Sequence, residues 1–248
     1  MDRRRKYKQY CGLARALDRV GERWTLLVVR NLMLGPRRYT DLLEELPGLT
    51  TNLLAERLRE LEELELVVKR KAPPPVRASV YELTPAGRAL EPALMELSRW
   101  GARFMDRPQR DDTVNVGWAL LSLKRRYRGG LTLTAELNVD ERSFDLAFTP
   151  THLVVTEARA ARPDVRVTGH WADVRAWLFV AGAAGSERAA AARAHELMRA
   201  GKLEVEGARA AFDALLSAFS EREPSAEEVA TRLASRELLT PLDGAASS

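Results

Sequence analysis

An α+β fold built in two halves is what this sequence predicts, and three observations predict it. Helical periodicity fills Tyr10 to Glu63 and is cut by Pro47-Gly48, a turn too short to be a loop, so two helices must cross there. Two β-branched runs, Leu66–Lys71 and Ser79–Leu83, follow around a proline-filled tip. Beyond residue 112, alternating runs at 131–137, 143–148 and 153–156 predict a largely antiparallel sheet accompanied by helices. The expected layout is an N-terminal winged helix-turn-helix domain over residues 1–105 and a polar linker over 106–112. An α+β domain over 113–239 then encloses an apolar core or cavity, and a disordered tail closes the chain at 240–248.

The 248 residues, 46% hydrophobic and 30% charged, suffice for one large or two small domains with ordinary cores. The net charge of +4 is unevenly placed: Met1 to Met105 holds 20 Lys and Arg against 14 Asp and Glu. That imbalance points a basic module at a polyanion and a near-neutral one at something else, the alternative being chance variation of surface charge. No apolar run approaches the ~20 residues that span a membrane, and the charged start predicts no secretion signal. A lone cysteine, Cys11, excludes an internal disulfide framework and fits a cytoplasmic location.

Within the first half, a helix is expected over Tyr10–Val20 with Leu13, Leu17 and Val20 on one face. A second, very apolar one spans Arg23–Leu34, contains Trp24, and ends at Gly35-Pro36. Thr40 and Thr50 are read as N-caps of the crossing pair. In the second helix of that pair Leu54, Leu58 and Leu61 form a buried stripe. Thr50, Thr51, Asn52, Ala55, Glu56 and Arg59 are left at its start and open face, where a major groove offers a donor and acceptor code. Arg37, Arg38 and Tyr39, at the entry to the pair, and Lys69, Arg70, Lys71 and Arg77 on the hairpin are the candidate phosphate contacts; an ordinary solvated hairpin is the alternative. After Thr84-Pro85, the stripe Leu90, Leu94, Leu97, Trp100 and Phe104 needs covering, by a second subunit or by the chain itself.

Tyr10 to Thr25, Gly35-Pro36-Arg37-Arg38-Tyr39-Thr40-Asp41-Leu42, Leu54 to Leu61 and Tyr81 to Gly87 together resemble, in order, the motifs of HxlR-type winged-helix transcriptional regulators. The resemblance implies a homodimer that binds a double-stranded DNA operator, is expected to repress, and touches DNA through the helix after Thr50 and the wing. The stretch Ala78-Ser79 before Val80-Tyr81 departs from the usual wing pattern, which bears on the wing contacts. Some members sense quinones, aldehydes or oxidants through a cysteine near the N-terminus, where Cys11 sits. An inert packed cysteine is the other reading.

The second half opens with a helix over Thr113–Arg128. After the three alternating runs come a strand at Val165–Thr168 and helices at His170–Val180 and Ser186–Ala200. Met198 to Gly207, followed by the amphipathic Ala208–Phe219, resembles the closing strand and last helix of sterol-carrier-protein-like lipid-binding domains. That resemblance implies a cavity for an apolar small-molecule effector, lined by Trp118, Phe144, Leu146, Phe148, Trp171, Trp177, Phe179, Phe212 and Leu216. Each of these, taken singly, reads more readily as plain core. A short capped helix is expected from Ser225.

His152, His170 and His195 are scattered, with no metal-ligand spacing, and no nucleophile elbow or phosphate loop is present. Neither metal, cofactor nor catalysis is expected. The readings left standing are an effector-responsive regulator, an electrophile sensor acting through Cys11, and a lipid carrier whose winged helix makes protein contacts.

Overall fold

In the N-terminal half, two short helices lead into the crossing pair. The computed structural model describes residues 6–72, 78–105, 110–127, 129–181 and 187–219. Helix α1 runs over Gly12–Val20 and α2 over Thr25–Leu32. The second begins later than its apolar pattern suggests, because Trp24 adopts a left-handed backbone (φ 78°). Its ring packs beneath Gly48, whose φ of +87° is a left-handed backbone that glycine adopts without strain.

A two-residue strand β1, Arg37–Arg38, precedes α3 (Tyr39–Glu45) and α4 (Thr51–Glu63), the crossing pair. Thr50 caps α4, its Oγ1 accepting from the Leu53 amide at 3.4 Å. Thr40 is not a cap: α3 starts one residue before it, and the Arg38 amide instead donates to Asp41 Oδ2 at 2.9 Å. Strands β2 (Val67–Lys71) and β3 (Ser79–Leu83) form the expected antiparallel hairpin, and β1 adds to the free edge of β3, so the entry to α3 and the wing share one sheet. The tip residues Pro73, Pro74, Pro75 and Arg77 lie outside the described residues.

Thr84 caps a single turn, α5 (Pro85–Arg88), and α6 (Glu91–Gly101) starts separately with Pro92 in its first turn. The long helix expected after Thr84 is thus two pieces.

The C-terminal half opens with α7 (Val116–Arg126), capped by Asn115 Oδ1. Strands β4 (Leu133–Val139), β5 (Arg142–Phe148), β6 (Leu153–Thr156), β7 (Val165–Gly169) and β8 (Leu203–Gly207) form one sheet in the order β6-β5-β4-β7-β8. Only the β4–β7 pairing is parallel. It arises because residues 157–164 cross from edge strand β6 to the far side of β4.

Alternation puts Leu133, Ala135, Leu137, Val139, Phe144, Leu146, Phe148, Val165 and Val167 on the buried face. Helices α8 (Trp171–Arg175), α9 (Glu187–Arg199) and α10 (Arg209–Ser217) complete the layer. The helix expected over His170–Val180 changes character at Arg175 and continues as a π-helical turn over Ala176–Ala181. The helix expected from Ser225, the tail and most of the linker lie outside the described residues. None of the described helices is long and apolar enough to cross a membrane.

Candidate nucleic-acid interface

Helix α4 has two unlike faces. Leu54, Leu58 and Leu61 are buried, and Thr51, Asn52, Ala55, Glu56 and Arg59 are all exposed on the opposite side, as a helix that enters a groove requires. Thr50 is exposed beside them, and Arg38 is exposed at the entry to α3. Tyr39 is half-buried, its hydroxyl donating to the Thr51 carbonyl at 2.5 Å. That bond sets the crossing of α3 and α4, so Tyr39 positions the start of the reading helix.

On the wing Lys69, Arg70 and Lys71 are exposed. Arg70 pairs with Glu82 at 2.7 Å, and the Lys69 ammonium lies over the Tyr81 ring at 5.5 Å. An exposed pair of this kind is worth little, so Arg70 can exchange its partner for a phosphate at small cost.

Arg37 departs from expectation. It is 6% exposed, and its guanidinium pairs with Glu157 of the C-terminal half and lies 3.6 Å from Glu45. Both carboxylates belong to this chain, so the phosphate contact expected of Arg37 is not offered to the outside. The alternation of the β1 ladder explains the difference: Arg38 faces out and Arg37 in.

Arg57 is a residue that the reading along the sequence leaves unassigned. It is 6% exposed and pairs with Glu60 at 2.7 Å, Glu56 at 3.3 Å and Glu22 at 3.8 Å. Its place among Leu54, Leu58 and Leu61 on the helix is the signal that could have found it.

The apolar stripe expected to meet a partner divides. Leu94 is buried and Leu90 half-buried, since α6 packs against α7 of the same chain through contacts that include Lys124–Glu91 and Arg125–Ser98 (3.0 Å). Leu97, Trp100 and Phe104 stay exposed, with the last two rings edge to face at 4.9 Å, and Leu13 and Leu17 of α1 are exposed as well. Cys11 is exposed immediately before α1, and the amides of Ala14 and Leu13 hold its thiol below its ordinary pKa.

The residues expected around an effector lie mostly together. Phe144, Leu146, Phe148, Trp177, Phe212 and Leu216 are buried between sheet and helices, with Trp177 and Phe212 rings 6.0 Å apart. Trp171 and Phe179 are half-buried and meet each other at 5.8 Å. Trp118 does not join them. Its Nε1 donates to Asn31 Oδ1 at 3.0 Å and its ring lies 3.7 Å under the Arg30 guanidinium, so it belongs to the seam between the halves. Burial there lowers the Arg30 pKa to about 10, against the opposing pull of Glu45. Among the described residues no cluster of His, Cys, Asp and Glu is arranged to hold a metal.

Comparison with known proteins matches residues 19–109 to a family model described as HxlR-like helix-turn-helix. The uncharacterized HTH-type transcriptional regulator YvaP of Bacillus subtilis is 44% identical over 94 residues, covering 37% of this chain and 85% of YvaP. The HTH-type transcriptional regulator YodB of the same organism is 35% identical over 91 residues, covering 37% of this chain and 81% of YodB. The quinone-bound structure of YodB covers 37% of this chain and 97% of that chain, at 34% identity and a TM-score of 0.33.

Proposed function

The chain belongs to the HxlR-like helix-turn-helix family and is a transcriptional regulator of that type, and on that premise we propose that it binds an operator as a homodimer under the control of an apolar effector held by its C-terminal half. One observation carries the DNA-binding part: α4 exposes Thr51, Asn52, Ala55, Glu56 and Arg59 together while burying its leucines. Thr51, Asn52 and Arg59 specify sequence, and Arg38, Lys69, Arg70 and Lys71 position the protein on phosphates. Two copies place two reading helices on half-sites about 34 Å apart.

The division into an N-terminal domain ending near 105 and a C-terminal domain starting near 113 is part of the same reading. The lipid-carrier resemblance of the second is supported by the closing strand β8 followed by α10. The π-helical turn that carries Trp177 and Phe179 adds to it, because such turns recur at functional sites.

A gel shift at physiological salt tests the proposal. Asn52→Ala and Arg59→Ala are each expected to weaken operator binding by about 1–3 kcal/mol, the range for a base contact. Unchanged binding in both would remove α4 from the role given to it.

A second reading is favoured by Cys11: exposed, with a thiol biased toward thiolate, it is suited to electrophile attack. The quinone-bound form of the relative YodB supports this. Treatment with a quinone should release wild type from its operator and leave Cys11→Ser bound. Equal release of both would end the idea.

A further inference from the structure

Helix α3 has only seven residues, too few to hold its own shape without packing, and both of its ends are gripped across the seam. At its entry, Arg37 pairs with Glu157, whose amide also donates to the Leu34 carbonyl at 2.7 Å. At its exit, Glu45 accepts from Arg142 at 3.1 Å and from Asn31 Nδ2 at 2.9 Å. Arg142 closes the circuit by donating to both Glu157 oxygens at 2.6 Å, which holds its own pKa above the ordinary value. Two arginines and two carboxylates thus form a neutral, partly buried ring in which each charge depends on the others.

We propose that the Arg37–Glu157–Arg142–Glu45 ring is a latch through which the C-terminal half sets the posture of the crossing helices. The proposal deepens the effector-controlled reading above and rests on it. Arg142 is the first residue of β5, the strand that places Phe144, Leu146 and Phe148 in the apolar layer, and its guanidinium lies 5.3 Å over the Phe144 ring. Glu157 follows directly on β6, which is hydrogen-bonded to β5. An apolar molecule that shifts Phe144 therefore displaces both grips on α3 at once. The exit of α3 is five residues from Thr50, so the start of α4 moves with it.

The test uses the full chain in two variants, Arg142→Gln and the shape-preserving Glu45→Gln, read by hydrogen exchange without DNA and by operator affinity. Exchange across 39–50 is expected to rise at least about fivefold in both, the lower end of ordinary coupling, with β4 and β5 unchanged. Operator affinity should fall by a similar factor, and the double variant should bind no more weakly than the weaker single one. Unchanged exchange across 39–50 in Glu45→Gln overturns the latch, as do losses that simply add. Should wild type bind no DNA while exchange still rises in the variants, the latch stands and the operator-binding reading fails.

Discussion

At the scale of single residues, what matters is which charges the fold takes out of water. Glu136 is 2% exposed on the sheet's outer face. Burial alone would raise its pKa, yet hydrogen bonds from Arg166 (2.7 Å), Asn138 (3.2 Å) and the Ala160 amide (2.8 Å) outweigh it and leave the pKa lowered. Its cross-strand neighbour Asp145 has no such help: burial first, and then the charge of Glu136, raise its pKa, and its Oδ1 is buried without a hydrogen bond. A carboxyl whose folded pKa is raised binds its proton more readily in the folded state, so its ionisation destabilises the fold as pH rises through that pKa. Asp145→Asn is therefore expected to raise the melting temperature at pH 7 and to have no effect at ~pH 3, below the ordinary Asp value. Melting curves at the two pH values check this; a gain at the lower pH would mean that something other than ionisation is at work.

Among the elements, α4 depends on its cap and on the buried Arg57. The Thr50 bond to the Leu53 amide is long, at 3.4 Å, so Thr50→Ala should cost toward the lower part of the usual cap range, about 0.5–1 kcal/mol, measured by urea unfolding. A loss well above 2 kcal/mol would show that Thr50 does more than cap. The wing is an element of a different kind. Its strands follow from β-branched pattern, but β1 joins it only because two residues, Arg37 and Arg38, pair with Tyr81 and Val80. Two residues are too few for periodicity to reveal.

For the whole molecule, the exposed apolar side chains on α1, on the last turns of α6 and just beyond it are what a single chain leaves uncovered. Leu13 and Phe104 are each 69% exposed and Trp100 is 56% exposed. Trp100 and Phe104 meet edge to face at 4.9 Å, and exposed apolar groups of this size are what the proposed homodimer would cover. Trp100→Glu is expected to halve the mass seen by sedimentation at micromolar concentration and to weaken operator binding sharply, because one half-site then acts alone. A wild type that sediments as a monomer would refute the dimer.

Much of this protein was determined along the sequence. The Pro47-Gly48 crossing, the Thr50 cap, the leucine stripe of α4, the hairpin and the alternating strands of the second half are local patterns, governed by dihedral preference and by periods of 3.6 and 2. The open face of α4 follows from them by subtraction. What only the tertiary structure decided are the places where residues distant in sequence meet. Arg37 looked like a phosphate contact because its neighbours are basic, and is withdrawn by Glu157, 120 residues away. Trp118 looked like a cavity residue and instead caps the seam against Asn31 and Arg30. Two of the five stripe residues expected to face a partner, Leu90 and Leu94, are covered within this chain, where α6 packs against α7. The physical reason is the same in each case: burial of a charge or an indole depends on which partner satisfies it, and no local period records partners.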